Sequence, residues 1–202
     1  MTPNHLIIFV KNRIPGRTKT RLAKSVGDEA ALQVYDALLA HTQAVTAGFL
    51  AEKWVFFSEA VEEKSLWSIG YRLAVQQGQD LGKRMQQAFE RCFAEGAQRV
   101  CIIGSDCYEL APKHLQEAYA GLQQHDVVIG PAHDGGYYLL GLQEQQPELF
   151  QNKIWSTPDV FADTLDDCER LGLSVHQLPR LHDLDDVQDL KRYQQKKNNE
   201  NG

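Results

Sequence analysis

The alternation of apolar and polar positions divides the chain into short buried runs and longer amphipathic ones. Leu6 to Val10 is a continuous apolar run closed by Pro15-Gly16, which predicts a buried strand and then a loop. From Asp28, read as an N-cap, Leu32, Tyr35, Leu39 and Val45 follow helical spacing until Gly48, a residue suited to the C′ position. "KWVFFSE" and "YRLAVQ" read as strands. Asp80 is placed to cap a helix whose Leu81, Met85, Ala88, Phe89, Cys92 and Phe93 share one face, with Gly96 ending it.

"RVCIIGSD" is apolar throughout until Gly104, as expected of a strand covered on both faces. Helices are predicted after Pro112, around "PDVFADTLDDCERLG" and from near Asp186; strands are predicted at "HDVVIGP", "GGYYLLGL" and "SVHQLP". Strands alternating with helices imply an α/β fold with a mainly parallel sheet sandwiched between helical layers. A length of 202 residues fits one domain, assigned to 1–193, and the polar stretch 194–202 reads as an unstructured tail.

Charge changes this picture at one place. The net charge is −6, yet Lys11, Arg13, Arg17, Lys19, Arg21 and Lys24 precede the first acidic residue, Asp28. The rest of the chain carries 15 basic against 27 acidic residues. A nucleic-acid surface spreads its positive charge over a broad face, so a loop of cations on an acidic body suits a small anion and argues against a nucleic-acid partner. Four Cys without a C-x-x-C pair, and no run near the roughly 20 apolar residues of a bilayer span, suggest a reduced, cytoplasmic protein that does not enter membranes.

In open α/β sheets the ligand crevice lies beyond the carboxyl ends of the strands, and four stretches fall there. In the basic loop, Arg and Lys side chains suit the oxygens of a diphosphate or triphosphate; a solvated charged loop is the plainer alternative. Ser105-Asp106 follows the central strand, where a carboxylate can hold Mg²⁺ or simply cap a helix. In His133-Asp134-Gly135-Gly136-Tyr137-Tyr138 the glycines permit a tight turn or a close ligand, and the tyrosines either line an acceptor pocket or fill core. Asp183 and Asp185 can supply another metal carboxylate or belong to the cap of the last helix. Gln77, Gly78, Asp80, Gly82 and Arg84 form a glycine loop entering a helix, able to present N–H donors to an anion or base, or to act only as a cap. No Walker A pattern is present.

Taken in order, "PGRTKTRLAKSVGDEAAL", "QGQDLGKRMQQAF", "IGSDCYEL", "GPAHDGGYYLLGL", "WSTPDV" and "LHDLDDVQDL" resemble a bacterial glycosyltransferase-like family associated with arsenosugar biosynthesis, known as a domain of unknown function. The resemblance runs from about Leu6 to about Leu190. It implies the GT-A fold of nucleotide-diphospho-sugar transferases, a single-domain Rossmann-like α/β/α sandwich. It also implies similarity to 2-phospho-lactate guanylyltransferase and to the molybdenum-cofactor guanylyltransferase. Carried over by motif, catalytic roles fall on Lys19, Arg21 and Asp106, and Mg²⁺ or Mn²⁺ binding falls on Asp106 and Asp185.

The nucleotide would meet Arg17, Lys19, Arg21, Gln77, Asp80, Gly82, Arg84 and Ser105; Asp134, Gly135, Gly136 and Tyr137 would lie on the acceptor side. The expected reaction is transfer of a sugar from a nucleotide sugar to a small-molecule acceptor. Its alternatives are nucleotidyl transfer from a nucleoside triphosphate with release of pyrophosphate, and nucleotide binding without turnover. Two departures are visible: Tyr108 stands where relatives have Pro, and "DDVQDL" replaces "D-T-P-E-D-L". The expectation is of a site without the D-x-D triplet that many glycosyltransferases use.

Overall fold

The computed structural model describes residues 3–200. Its chain order is β1 (Asn4–Val10), α1 (Thr20–Val26), α2 (Asp28–Ala47), β2 (Glu52–Phe57), β3 (Arg72–Val75), α3 (Leu81–Ala94), β4 (Arg99–Ile103), α4 (Pro112–Gly121), β5 (Val127–Pro131), β6 (Tyr137–Leu142), α5 (Val160–Leu171), β7 (Val175–Gln177) and α6 (Val187–Glu200), with a 3-10 turn at Pro147–Phe150. The strands form one seven-stranded sheet in the order β3-β2-β1-β4-β6-β5-β7. Only β6 runs against its neighbours β4 and β5; the other pairings are parallel. This is the mainly parallel α/β sandwich that the pattern predicts and the Rossmann-like fold that the resemblance implies.

Both faces of the sheet are covered, which is why its central strands are continuous apolar runs. On one face Leu6, Ile8 and Val10 pack with Tyr35 and Leu39 of α2 and with Leu115, Ala118 and Tyr119 of α4. On the other, Ile7, Ile102 and Leu140 pack with Met85, Ala88 and Phe89 of α3 and Cys168 of α5. A third, smaller cluster joins Leu22 of α1, Ala31 and Leu38 of α2, Tyr108 and Leu184, with Val187, Leu190 and Tyr193 of α6 against it. All four cysteines are buried and free, and no helix among the described residues is long and apolar enough to cross a membrane.

Several local expectations change. Half of the predicted basic loop is helical, since Thr20–Val26 forms α1. Gly27, in a positive-φ conformation, is the N-cap of α2, and Asp28 sits inside its first turn, where its charge favours the helix dipole. Gly48 is right-handed (φ −86°), so α2 ends without a left-handed residue. The predicted unstructured tail is helical over 194–200 as part of α6, and residues 201–202 lie outside the described residues. Asp80 caps α3 as expected, accepting from the Lys83 N–H at 2.8 Å, and Asp186 accepts from the N–H groups of Gln188 and Asp189 at the start of α6.

Leu140 is fully buried on β6 between β4 and β5. Leu140→Ala is expected to cost about 2–5 kcal/mol of stability, read from the midpoint of a urea titration.

Candidate active site

At the carboxyl edge of the parallel strands lies a cleft of about 600 Å³. Antiparallel β6 matters here. Because it runs opposite to β4, its first residue lies at the edge where β4 ends, and this brings the loop preceding it, with Asp134 and Gly136, to the cleft.

The loop after β1 is fixed by buried polar contacts. The Tyr35 hydroxyl accepts from the Lys11 N–H at 2.8 Å and lies 3.0 Å from the Lys11 carbonyl. Asn12 is buried: its amide oxygen accepts from the Glu59 N–H (2.8 Å), and its amide nitrogen donates to the Ala60 carbonyl (2.8 Å) and the Glu62 carboxylate (2.7 Å). Thr18 closes the loop by donating to the Asn12 carbonyl at 2.7 Å. Lys19 follows in a left-handed conformation, φ 53°, unusual for a residue with a long side chain.

Its ammonium points inward. Lys19 Nζ lies 2.8 Å from Asp106 and 3.1 Å from Asp185, with a side chain only 4% exposed, and it also donates to the Leu184 carbonyl. Burial opposes this charge, but Asp106 and Asp185 together hold the ammonium above its ordinary pKa. Asp185 is held below its ordinary value: burial works against ionisation, and Lys19 outweighs it. Backbone contacts bring the late carboxylates here. Asp183 bridges to Cys107, the Leu184 N–H donates to the Asp106 carbonyl at 2.9 Å, and the Leu181 N–H donates to the Pro131 carbonyl at 3.1 Å.

The predicted residues separate into two groups. Lys19, Arg21, Arg84, Ser105, Asp106, Asp134, Gly136, Tyr137 and Asp185 all line the cleft. Arg17, Gln77, Asp80, Gly82 and Gly135 do not line it. Arg17 is exposed and pairs with Glu59 at 2.8 Å, as Arg13 pairs with Asp36 at 2.9 Å. Gln77 is exposed; its neighbour Gln76 lines the cleft instead and donates to the Val10 and Phe56 carbonyls. Asp80 is a helix cap facing a neighbouring groove. Gly82 makes room for Trp155, whose indole Nε1 would lie 2.3 Å from a Cβ at that position. Gly135, at φ +91°, lets the Pro158 carbonyl come within 2.0 Å of where a side chain would begin, so it seats the loop that carries Trp155.

Sequence reasoning counted Lys11 in the basic loop without giving it a nucleotide contact, and missed Gln76 and the Trp155–Pro158 wall of the cleft. It also missed the role of Asp183 in completing a D-x-D triplet: Asp183-Leu184-Asp185 is one, and both carboxylates line the cleft. The signal was present in the sequence, at the late position instead of after the central strand.

Lys11, Lys19, Arg21 and Arg84 thus share one cleft with Asp106, Asp134, Asp183 and Asp185. Crowding is felt most by Asp183, whose pKa rises to about 8 through burial first and then through the charges of Asp106, Asp134 and Asp185. Among the described residues no three His, Cys, Asp or Glu side chains form a ready cage for a metal. Magnesium needs none, since it is ordinarily held by one or two carboxylates, waters and the phosphates of the substrate. Hard carboxylate oxygens at Asp106 and Asp185, in an acidic cluster that a cation would relieve, fit an ion of this kind.

A mainly parallel sheet with a cleft of cations and carboxylates at its carboxyl edge is the fold of the nucleotide-diphospho-sugar transferases. The chain belongs to the family described as uncharacterised proteins conserved in bacteria (DUF2064), whose profile matches residues 34–157. It is similar to the crystal structure of a protein from Desulfovibrio desulfuricans G20 provisionally assigned as a nucleotide-diphospho-sugar transferase. The TM-score is 0.87 at 34% identity, over 94% of this chain and 85% of that one. CMP:2-keto-3-deoxy-manno-octonic acid synthetase complexed with CTP shares the fold at a TM-score of 0.62 and 11% identity, over 98% of this chain and 99% of that one. So does glucosyl-3-phosphoglycerate synthase from Mycobacterium tuberculosis, in complex with Mn²⁺, UDP and glucosyl-3-phosphoglycerate, at 0.52 and 14%, over 89% and 70%. No curated protein matches in sequence.

The raised pKa of Asp183 sets a pH dependence. Between its unfolded value near ~4 and about 8 the folded protein holds a proton that the unfolded chain has lost, so this group's contribution to stability falls as pH rises through that window. In chelator-treated protein, Asp183→Asn is expected to gain stability relative to the parent from about pH 5 to about pH 8. Urea midpoints at both ends of the range check it, and an unchanged difference would place the proton elsewhere.

Proposed function

We propose that the chain transfers a sugar from a nucleoside-diphosphate donor to a small acceptor with the help of Mg²⁺ or Mn²⁺. The observation that carries this reading is the buried Lys19 ammonium within hydrogen-bond reach of both Asp106 and Asp185, at the centre of a cleft flanked by further cations.

Lys11, Arg21 and Arg84 hold the donor's phosphate oxygens by charge-assisted hydrogen bonds. Lys19, its three N–H bonds taken by Asp106, Asp185 and the Leu184 carbonyl, fixes the two carboxylates and adds a preorganised positive charge beside the departing diphosphate. Asp106 and Asp185 would hold the divalent ion, which would supply Lewis-acid neutralisation of the same charge. On the acceptor side, one oxygen of Asp134 is fixed by the Gly136 N–H at 2.9 Å, which leaves the other to take the proton of an attacking hydroxyl.

Nucleotidyl transfer is the second reading. It is favoured by the number of cations in the cleft, since four suit a triphosphate beside a phosphorylated acceptor. The products separate the two: sugar transfer releases a nucleoside diphosphate, and nucleotidyl transfer releases pyrophosphate.

With Mg²⁺ and a panel of nucleotide sugars, triphosphates and acceptors, the expected product is a nucleoside diphosphate, abolished by a chelator. Lys19→Met is expected to lower kcat by about 10²–10³-fold, while Arg17→Ala, altering a residue outside the cleft, leaves it unchanged. Equal losses in both variants, in protein that melts normally, would remove Lys19 from its role.

A further inference from the structure

A second groove, of about 850 Å³, runs between the start of α3 and the segment Phe150–Trp155. Trp155 lines this groove and the phosphate-facing cleft alike. The chemistry of the two differs. Three charged side chains line the groove, and two of them are committed, with Lys83 held only by a neutral amide. Asp80 caps α3, Lys83 reaches Gln86 Oε1 at 3.3 Å, and Lys153 is buried with its ammonium 3.0 Å from both Asp167 and Thr164. What remains is amide. Gln79, Gln87, Gln151 and Asn152 line the groove, and among the described residues their side chains have no hydrogen-bond partner in the protein.

A primary amide offers two donors and an acceptor with no net charge. Four of them beside the rings of Phe150 and Trp155 match a ligand whose hydroxyl groups both give and take hydrogen bonds and whose ring carbons need an apolar wall. The one cation open to a phosphate is the exposed Lys83, against four amides that suit a neutral ligand. The wall is also held in place: Asn152 and Ser156, at φ 53° and 64°, keep left-handed conformations on either side of Trp155, and the indole is packed onto Gly82.

We infer that this groove is the acceptor subsite and takes an uncharged polyhydroxylated molecule, a saccharide or sugar alcohol. The inference rests on the sugar-transfer reading of the neighbouring cleft, and it names the class of acceptor for that reaction. Trp155 borders both, so the groove lies next to the cleft that holds Asp134.

The test uses tryptophan fluorescence, because Trp54 and Trp67 are each 1% exposed and Trp155 is the remaining indole of the three. The intact protein is titrated with methyl β-D-glucopyranoside, methyl β-D-ribofuranoside and sorbitol, and with glucose 6-phosphate for comparison. The expected result is a saturable change with at least one neutral compound, weaker binding of the phosphorylated one, and no dependence on Asp106→Asn. Gln87→Ala combined with Asn152→Gly is expected to weaken binding about tenfold, as the loss of two hydrogen bonds implies; glycine suits the positive φ of Asn152, so the fold is retained.

No saturable change with any neutral compound, preference for glucose 6-phosphate, or full binding by the double variant overturns the inference. Calorimetric titration with nucleotides on the same samples keeps the two readings apart. Nucleotide binding without a saccharide response sinks the acceptor groove and spares the donor cleft. A saccharide response without nucleotide binding supports the groove and removes the donor.

Discussion

One ammonium group organises the functional end of this molecule. Placing the charge of Lys19 almost wholly out of water costs several kcal/mol unless partners compensate it, and the partners come from two distant places in the chain. Asp106 follows the central strand, and Asp185 precedes the last helix. The pair of contacts therefore ties the loop after β1, the end of β4 and the segment entering α6 to one point. The small cluster of Leu22, Ala31, Leu38, Tyr108 and Leu184 supplies the apolar support beneath it. Replacing the ammonium by an apolar group would leave two carboxylates crowded against Asp183.

The cleft acquires its polarity from the sheet. Parallel strands deliver β1, β2 and β4 with their carboxyl ends on one edge, which accounts for the cationic loop and for Asp106. Only the reversed β6 can bring its preceding loop to that same edge, and so place Asp134 and Gly136 opposite the cations. The basic loop, the carboxylates and the amide-rich groove beside Trp155 come from three different routes of the chain.

Much of the fold was legible because its signals are local. Continuous apolar runs marked the strands, helical spacing marked α2 and α3, and Asp80 and Asp186 announced helix starts through their own backbone contacts. The motif at Ser105-Asp106 was legible for the same reason, being fixed by its position after a buried strand. The role of each cation was not. Arg17 and Lys19 stand two residues apart with similar chemistry, and what separates them is that Glu59 meets one outside the cleft while Asp106 and Asp185 meet the other inside it. Those partners are long-range, so no window of sequence contains them. The one-residue shift from Gln77 to Gln76 has the same origin, because the register of β3 against β2 decides which glutamine turns inward. Gly82 and Gly135 misled because a glycine serving a close approach of protein to protein looks, in sequence, like one serving a ligand.

The contact between Lys19 and Leu184 spans 165 positions of the chain. Closing so long a loop is entropically costly and is rewarded only after the intervening strands have paired. The sheet and its two main cores can therefore consolidate while the cleft is still open, and the cleft is completed when the segment carrying Leu184 and Asp185 docks against Lys19. On a growing chain the Lys19 cleft would stay incomplete until the segment carrying Leu184 and Asp185 has been made, so that the site closes late in synthesis.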